Sequence, residues 1–232
     1  RFQGKTTLGP RGDAIIEADW MVGELIKTLE KESLINNTLI VFSSDNGPVL
    51  NDGYDDDAVE KLGNHKPWGI YRGGKYSLFE AGTRVPFITY WEGKIESGVS
   101  SAMVSQLDLF NSIASLVGSN LKTDDGKNLL DVFMGKSLNG RNQLVIEAMS
   151  RTAFKKEDWV MIPPYKGPKI FKSKNIETAN SDTYQLYNLK NDPEQQNNLA
   201  KSNPEKLEEL KAEFKKVRGN AYENVKPAKF EK

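Results

Sequence analysis

Two short apolar runs, residues 38–42 and 85–91, are separated by a long interval without hydrophobic periodicity, and this interval constrains the fold more than any other feature. It holds Gly47, Pro48, Gly53, Gly63, Pro67, Gly69, Gly73, Gly74 and Gly82. Neither a helix nor a strand continues through so many breakers. A loop of about 40 residues inside a compact domain is uncommon, and one that occurs tends to be functional. The chemistry is therefore expected within residues 43–82, between two buried strands.

The flanking sequence supplies the scaffold. Ile15, Ala18, Val22, Leu25, Ile26 and Leu29 recur at spacings of three and four, predicting an amphipathic helix over residues 12–34 with that stripe toward the core. The β-branched run at 38–42 suits the centre of a parallel sheet covered on both faces, so helix and strand read as half of a βαβ unit. Residues 104–117, with Leu107, Phe110, Ile113, Ala114 and Val117, predict a second helix. Beyond residue 140 come short extended runs at 144–149, 159–162, 169–171 and 184–189, the pattern of antiparallel hairpins. Ser202, Pro204 and Glu205 have capping-box spacing, and the helix they open carries Leu207, Leu210, Phe214 and Val217 on one face, expected to lie across the small sheet. The fold class is α/β: a core over residues 1–140, then a smaller α+β unit over 141–232.

Charge and composition narrow the function. The 232 residues hold 32 basic and 32 acidic side chains, one histidine and no cysteine. A zero net charge gives no long-range pull toward nucleic acid or anionic lipid, so an anionic partner needs a local site. Without cysteine there is no disulfide, zinc-thiolate site or thiol nucleophile in these residues. No run approaches the roughly 20 apolar residues that span a bilayer.

Ser43, Ser44, Asp45, Asn46, Gly47 and Pro48 directly follow the first strand. In open α/β sheets the ligand crevice lies beyond the carboxyl ends of strands. Asp45 and Asn46 offer an anionic and a neutral oxygen, a mixture that suits calcium or magnesium. The same residues are also good turn formers, which accounts for them without a metal. Farther on, Arg72, Gly73, Gly74 and Lys75 precede Phe79, Glu80, Ala81, Gly82, Thr83, Arg84, Val85 and Pro86. Paired glycines admit close backbone approach and Lys75 supplies a point charge for a tetrahedral oxyanion. A glycine turn with a solvated lysine is the plainer reading.

The order of these motifs resembles the second half of the catalytic domain of type I sulfatases (arylsulfatase-like), members of the alkaline-phosphatase-like superfamily. The resemblance extends to Gly12, Asp13, Glu17, Ala18, Asp19, Val22 and Gly23 upstream. Downstream it includes residues 187–200, from Tyr187, Asn188 and Leu189 through Asp192, Pro193 and Glu194 to Leu199 and Ala200. It implies the second half of an alkaline-phosphatase-like α/β core, followed by a small antiparallel sheet with a packed C-terminal helix.

For the site, the resemblance implies that Asp45 and Asn46 are one pair of ligands to a calcium ion, or magnesium, and that Lys75 contacts the sulfate group of a sulfated carbohydrate or aryl sulfate. His65 and Arg72 are expected to touch the part of the substrate beyond the sulfate. The family's nucleophile is a formylglycine made from Cys or Ser in Cys/Ser-x-Pro-x-Arg. No such pattern occurs here; Ser202, Asn203 and Pro204 fail at the following positions. The nucleophile and the other metal ligands are thus expected in a missing N-terminal portion of the catalytic domain, and these residues alone should bind metal weakly and not turn over substrate. The resemblance also implies a periplasmic or secreted protein.

Other readings have specific anchors. A phosphatase or phosphodiesterase of the same superfamily would need several histidines for two transition metals, which one His does not supply. A noncatalytic module could bind sulfated glycans through Lys75 and the basic stretch that runs from Arg151 through Lys155, Lys156, Lys166, Lys169 and Lys172 to Lys174. Trp68, Tyr71 and Tyr76 could stack on a sugar or anchor the loop. Arg84 is expected to pair internally, with Glu80 for example. Arg11, Gly12 and Asp13 spell an adhesion tripeptide but sit at a helix start, and Asn36, Asn37 and Thr38 match a glycosylation acceptor.

Overall fold

A computed structural model describes residues 1–219. The described residues form two compact units: residues 1–5, 12–43 and 86–142 in one, and residues 6–11, 44–85 and 143–219 in the other.

In the first unit, α1 (Gly9–Lys31) supplies most of its length, β1 (Ile40–Ser43) pairs with β2 (Phe87–Tyr90), and α2 (Asp108–Leu116) and the short α3 (Leu130–Phe133) follow. The β1–β2 pair is antiparallel, with Phe42 opposite Ile88. This corrects the expectation of a parallel neighbour: among residues 44–85 only a single 3-10 turn, Glu80–Gly82, is helical, so no crossover helix re-aims the chain. Leu129, Val132 and Phe133 form its core, with Phe87, Ala102, Val104 and Leu109 packed against them.

Helix α2 turns its apolar side outward. Its apolar positions Leu107, Phe110, Ile113 and Val117 are exposed, at 55%, 51%, 43% and 71%. Its polar side faces inward: Asp108 accepts hydrogen bonds from Ser105 and Lys127 main-chain N–H groups and pairs with Arg141. Asn111 bonds to the Thr123 and Gly126 backbone, and Ser112 accepts from Leu129 N–H at 2.9 Å. In α1, Ile15 and Leu25 of the predicted core stripe are likewise exposed, as are the cross-strand partners Phe42 and Ile88. An exposed apolar stripe on α2, on α1 and across a strand pair exceeds the scattered apolar residues of an ordinary surface.

The second unit is built on a four-stranded antiparallel sheet in the order β3 (Gln143–Ala148), β4 (Arg151–Lys156), β5 (Trp159–Ile162), β8 (Gln185–Asn188). A two-stranded hairpin, β6 (Ile170–Phe171) and β7 (Ile176–Glu177), precedes β8. Strand side chains alternate between faces, and both faces here are covered. Phe154, Met161 and Leu186 pack on Leu210 and Phe214 of α4 (Pro204–Arg218), as the helical stripe predicts. On the opposite face Ala153, Val160, Ile162 and Tyr187 meet Leu78 and Phe79, which precede the Glu80–Gly82 turn. The capping box does not form: Asn203 is the N-cap without a side-chain cap bond, and Ser202 Oγ donates to Leu199 O instead.

Candidate active site

All five residues singled out from the sequence lie in the second unit. Residues 44–48 form a turn held by its own side chains. Asp45 Oδ1 accepts from Asn46 N–H at 3.0 Å, Ser44 Oγ donates to Asn46 O at 3.0 Å, and Asn46 Nδ2 donates to Gly47 O at 2.9 Å. Asp45 is exposed and Asn46 half-buried. With its amide nitrogen engaged, Asn46 is left presenting the amide oxygen, the hard donor a calcium site uses. Turn chemistry and metal chemistry are therefore compatible at these two residues. Among the described residues no group of three or more His, Cys, Asp or Glu could hold a metal.

This turn is joined backbone to backbone with the glycine-lysine segment. Gly47 N–H donates to Gly82 O, and Lys75 N–H donates to Pro48 O, each at 2.9 Å. The approach is so close that a Cβ on Gly47 would fall 1.6 Å from Ala81 O, and one on Gly74 would fall 2.5 Å from Pro48 O. These glycines are needed for close approach of main chains. Lys75 thus stands at the tip of a bend whose stem is fixed three residues beyond Asp45. Tyr76 holds φ at 77°, unusual for a residue with a side chain, and its ring meets Phe171 edge-on at 5.4 Å. The Lys75 ammonium lies 5.6 Å from the Tyr76 ring centroid and, among the described residues, makes no ion pair.

Behind the bend is a buried charge network. Glu80, 2% exposed, accepts two hydrogen bonds from Lys155 Nζ at 3.1 and 2.8 Å, and Arg84 reaches it at 3.3 Å, the internal pairing expected for Arg84. Glu80 N–H donates to the side-chain oxygen of Gln195 at 2.7 Å. Gln195 is fully buried, and its side-chain nitrogen has no hydrogen-bond partner. The Arg72 guanidinium pairs with Glu177, donates to Gln195 O at 2.8 Å and lies 4.2 Å above the Phe79 ring centre. Lys155, Glu177 and Gln195 were not legible as supports of the two turns, because they lie 75 to 123 residues from their partners and belong to no local pattern.

His65 lies on the exposed stretch before Pro67, its main-chain N–H bonded to Leu62 O. The Arg-Gly-Asp sequence is occupied: Arg11 pairs with Asp52 and Asp56, and buried Asp13 accepts from Gly4 N–H at 2.6 Å.

Asp45, Asn46 and Lys75 thus stand on two turns interlocked through their main chains. The sulfatase family model matches residues 3–119. This chain belongs to the sulfatase family. It is 44% identical over 214 residues to the N-acetylgalactosamine-6-O-sulfatase of Bacteroides thetaiotaomicron, covering 90% of this chain and 42% of that protein. It is 37% identical over 140 residues to human steryl-sulfatase, covering 59% of this chain and 23% of the relative. A solved sulfatase from the glycosaminoglycan metabolism of B. thetaiotaomicron superimposes with a TM-score of 0.90 at 42% identity, over 94% of this chain and 46% of that one. The chain therefore spans less than half the length of the relatives it matches.

Proposed function

We propose that the chain is the part of a sulfatase catalytic unit that carries the sulfate-contacting lysine and one pair of metal ligands, and that the complete enzyme hydrolyses a sulfate ester on a sulfated carbohydrate. The observation that carries this is the backbone interlock of the two motifs, Lys75 N–H to Pro48 O and Gly47 N–H to Gly82 O. It gives an oxyanion-binding ammonium and a cation-binding acid-amide pair one rigid support, which a reaction governed by positioning and electrostatics requires. The donor chemistry of Asp45 and Asn46 fits calcium, or magnesium, with the remaining ligands contributed by other residues. The ion would polarise the ester oxygens when bound. Lys75 stabilises charge as it gathers on the leaving oxygen, and His65 and Arg72 contribute toward the sugar, Arg72 with its guanidinium already braced by Glu177.

The nucleophile, a formylglycine, and the rest of the metal shell belong to a further segment of the catalytic domain. The exposed apolar stripe of α2 and the exposed Phe42–Ile88 pair offer that segment a surface to bury. The printed activity of the 44% relative favours a 6-sulfated N-acetylgalactosamine as substrate, and the family favours a periplasmic or secreted location; no described helix is long and apolar enough to cross a membrane. Sulfate release from 6-sulfated N-acetylgalactosamine by the complete enzyme, with and without calcium, tests the reading. Glycan binding without any release would instead indicate a noncatalytic module.

A further inference from the structure

The bend that carries Lys75 has a closed neck. Arg72 O accepts from Ala81 N–H at 3.0 Å, and nearer the tip Gly74 O accepts from Ser77 N–H at 3.0 Å. Gln195 grips both stems of this neck from a distant part of the sequence. Its side-chain oxygen accepts from Glu80 N–H at 2.7 Å, and its main-chain oxygen accepts from the Arg72 guanidinium at 2.8 Å.

Gln195 is itself held from behind. Its N–H donates to Asp192 O at 3.1 Å, and the Asp192 carboxylate accepts from the main-chain N–H groups of Gln196 and Asn197 at 3.0 and 2.7 Å. The turn so formed is tied to β8: Asp192 N–H donates to Asn188 O and Leu199 N–H to Leu186 O, each at 2.8 Å. The four-stranded sheet thus supports the neck of the bend through this turn. Two features of Gln195 are unfavourable for folding alone. It holds φ at 53°, a conformation few residues with a side chain adopt, and its fully buried side-chain nitrogen has no hydrogen-bond partner among the described residues. Costs of this kind gather where geometry serves function.

We infer that Gln195 is a positioning residue: it fixes the stems of the bend so that the Lys75 ammonium is held in place, and it acts on the reaction through Lys75. The inference rests on the sulfate-contacting reading of Lys75 and adds the group that sets its aim. A misplacement of about 1 Å at such a group costs about 10²-fold in rate.

The test is Q195N in the complete enzyme, with N-acetylgalactosamine 6-sulfate as substrate. Asn accepts positive φ readily, but its side chain is one methylene shorter and its oxygen falls short of Glu80 N–H. The kcat should fall about 10-fold or more, with KM within about twofold of wild type. Q195E keeps the length and the acceptor oxygen, and its kcat should return to the wild-type range. In a Lys75→Ala background Q195N should cause no further loss, because the two residues act as a unit. Wild-type kcat in Q195N overturns the inference, and so does a loss confined to KM, a Q195E as slow as Q195N, or the same fold-loss with and without Lys75. If the wild type releases no sulfate, the catalytic reading fails separately, and amide hydrogen exchange still decides the clamp. Faster exchange at the Lys75 and Glu80 N–H groups in Q195N, with wild-type rates in Q195E, supports it; equal rates in all three proteins refute it.

Discussion

The main-chain N–H of Lys75 donates to the carbonyl of Pro48 at 2.9 Å, so the residue that bears the ammonium and the turn that bears the acid-amide pair share a hydrogen bond. Everything proposed for the site follows from that bond and its companion at Gly47. Both are main-chain interactions and depend on side chains only where a side chain would prevent them.

Gly47 is where prevention is most severe. A methyl group there would overlap the Ala81 carbonyl, and relief would require the two turns to part. Gly47→Ala should cost about 3 kcal/mol or more of stability, read as a lowered denaturant midpoint, and should lower activity together with calcium affinity. A variant with wild-type midpoint and activity would show that the two turns need not touch.

Lys75→Ala removes the ammonium and leaves the backbone bond. In the complete enzyme kcat should fall by about 10²- to 10³-fold with an unchanged melting temperature. Near-normal turnover would exclude Lys75 from contact with the sulfate.

Glu80→Gln leaves Lys155 buried opposite a neutral amide. Breaking a buried pair by removing one partner costs about 3 kcal/mol. The double variant Glu80→Gln with Lys155→Met should recover part of that loss in a double-mutant cycle. Purely additive effects would show that the two do not interact.

The Arg11–Asp52 pair makes stability depend on pH. Partial burial alone would raise the Asp52 carboxyl, but the Tyr54 N–H and the Arg11 guanidinium outweigh it and hold it below the ordinary value of 3.8. A carboxyl depressed in the folded state stabilises the fold above its unfolded value, and that contribution is lost as pH falls through the folded one. The melting-temperature gap between wild type and Asp52→Asn should hold steady from neutrality to about pH 5 and close below 3.8. A gap that widened on acidification would contradict the assignment.

The sequence made the local elements legible where a period or a breaker marks them: α4 from Leu210 and Phe214, β5 from residues 159–162, and the loop from its glycines. It was silent on β4, whose alternation of Thr152, Ala153, Phe154 and Lys155 is buried on both faces and follows a tight turn at Met149 and Ser150, both at positive φ. It misjudged the α1 stripe, of which Ile15 and Leu25 are exposed, because an apolar stripe states that a face will be buried without stating by what. The two motifs were picked out by resemblance and spacing, but the main-chain bonds that tie their turns were not. Their supports Lys155, Glu177 and Gln195 were not, since no local rule links residues so far apart.

Because the turn of Asp45 and Asn46 and the bend of Lys75 are tied through peptide groups, the Lys75 side chain can be exchanged without breaking either tie, whereas the Asp45 and Asn46 side chains also hold their own turn. A substitution at Lys75 will then report on its charge alone, uncontaminated by backbone rearrangement.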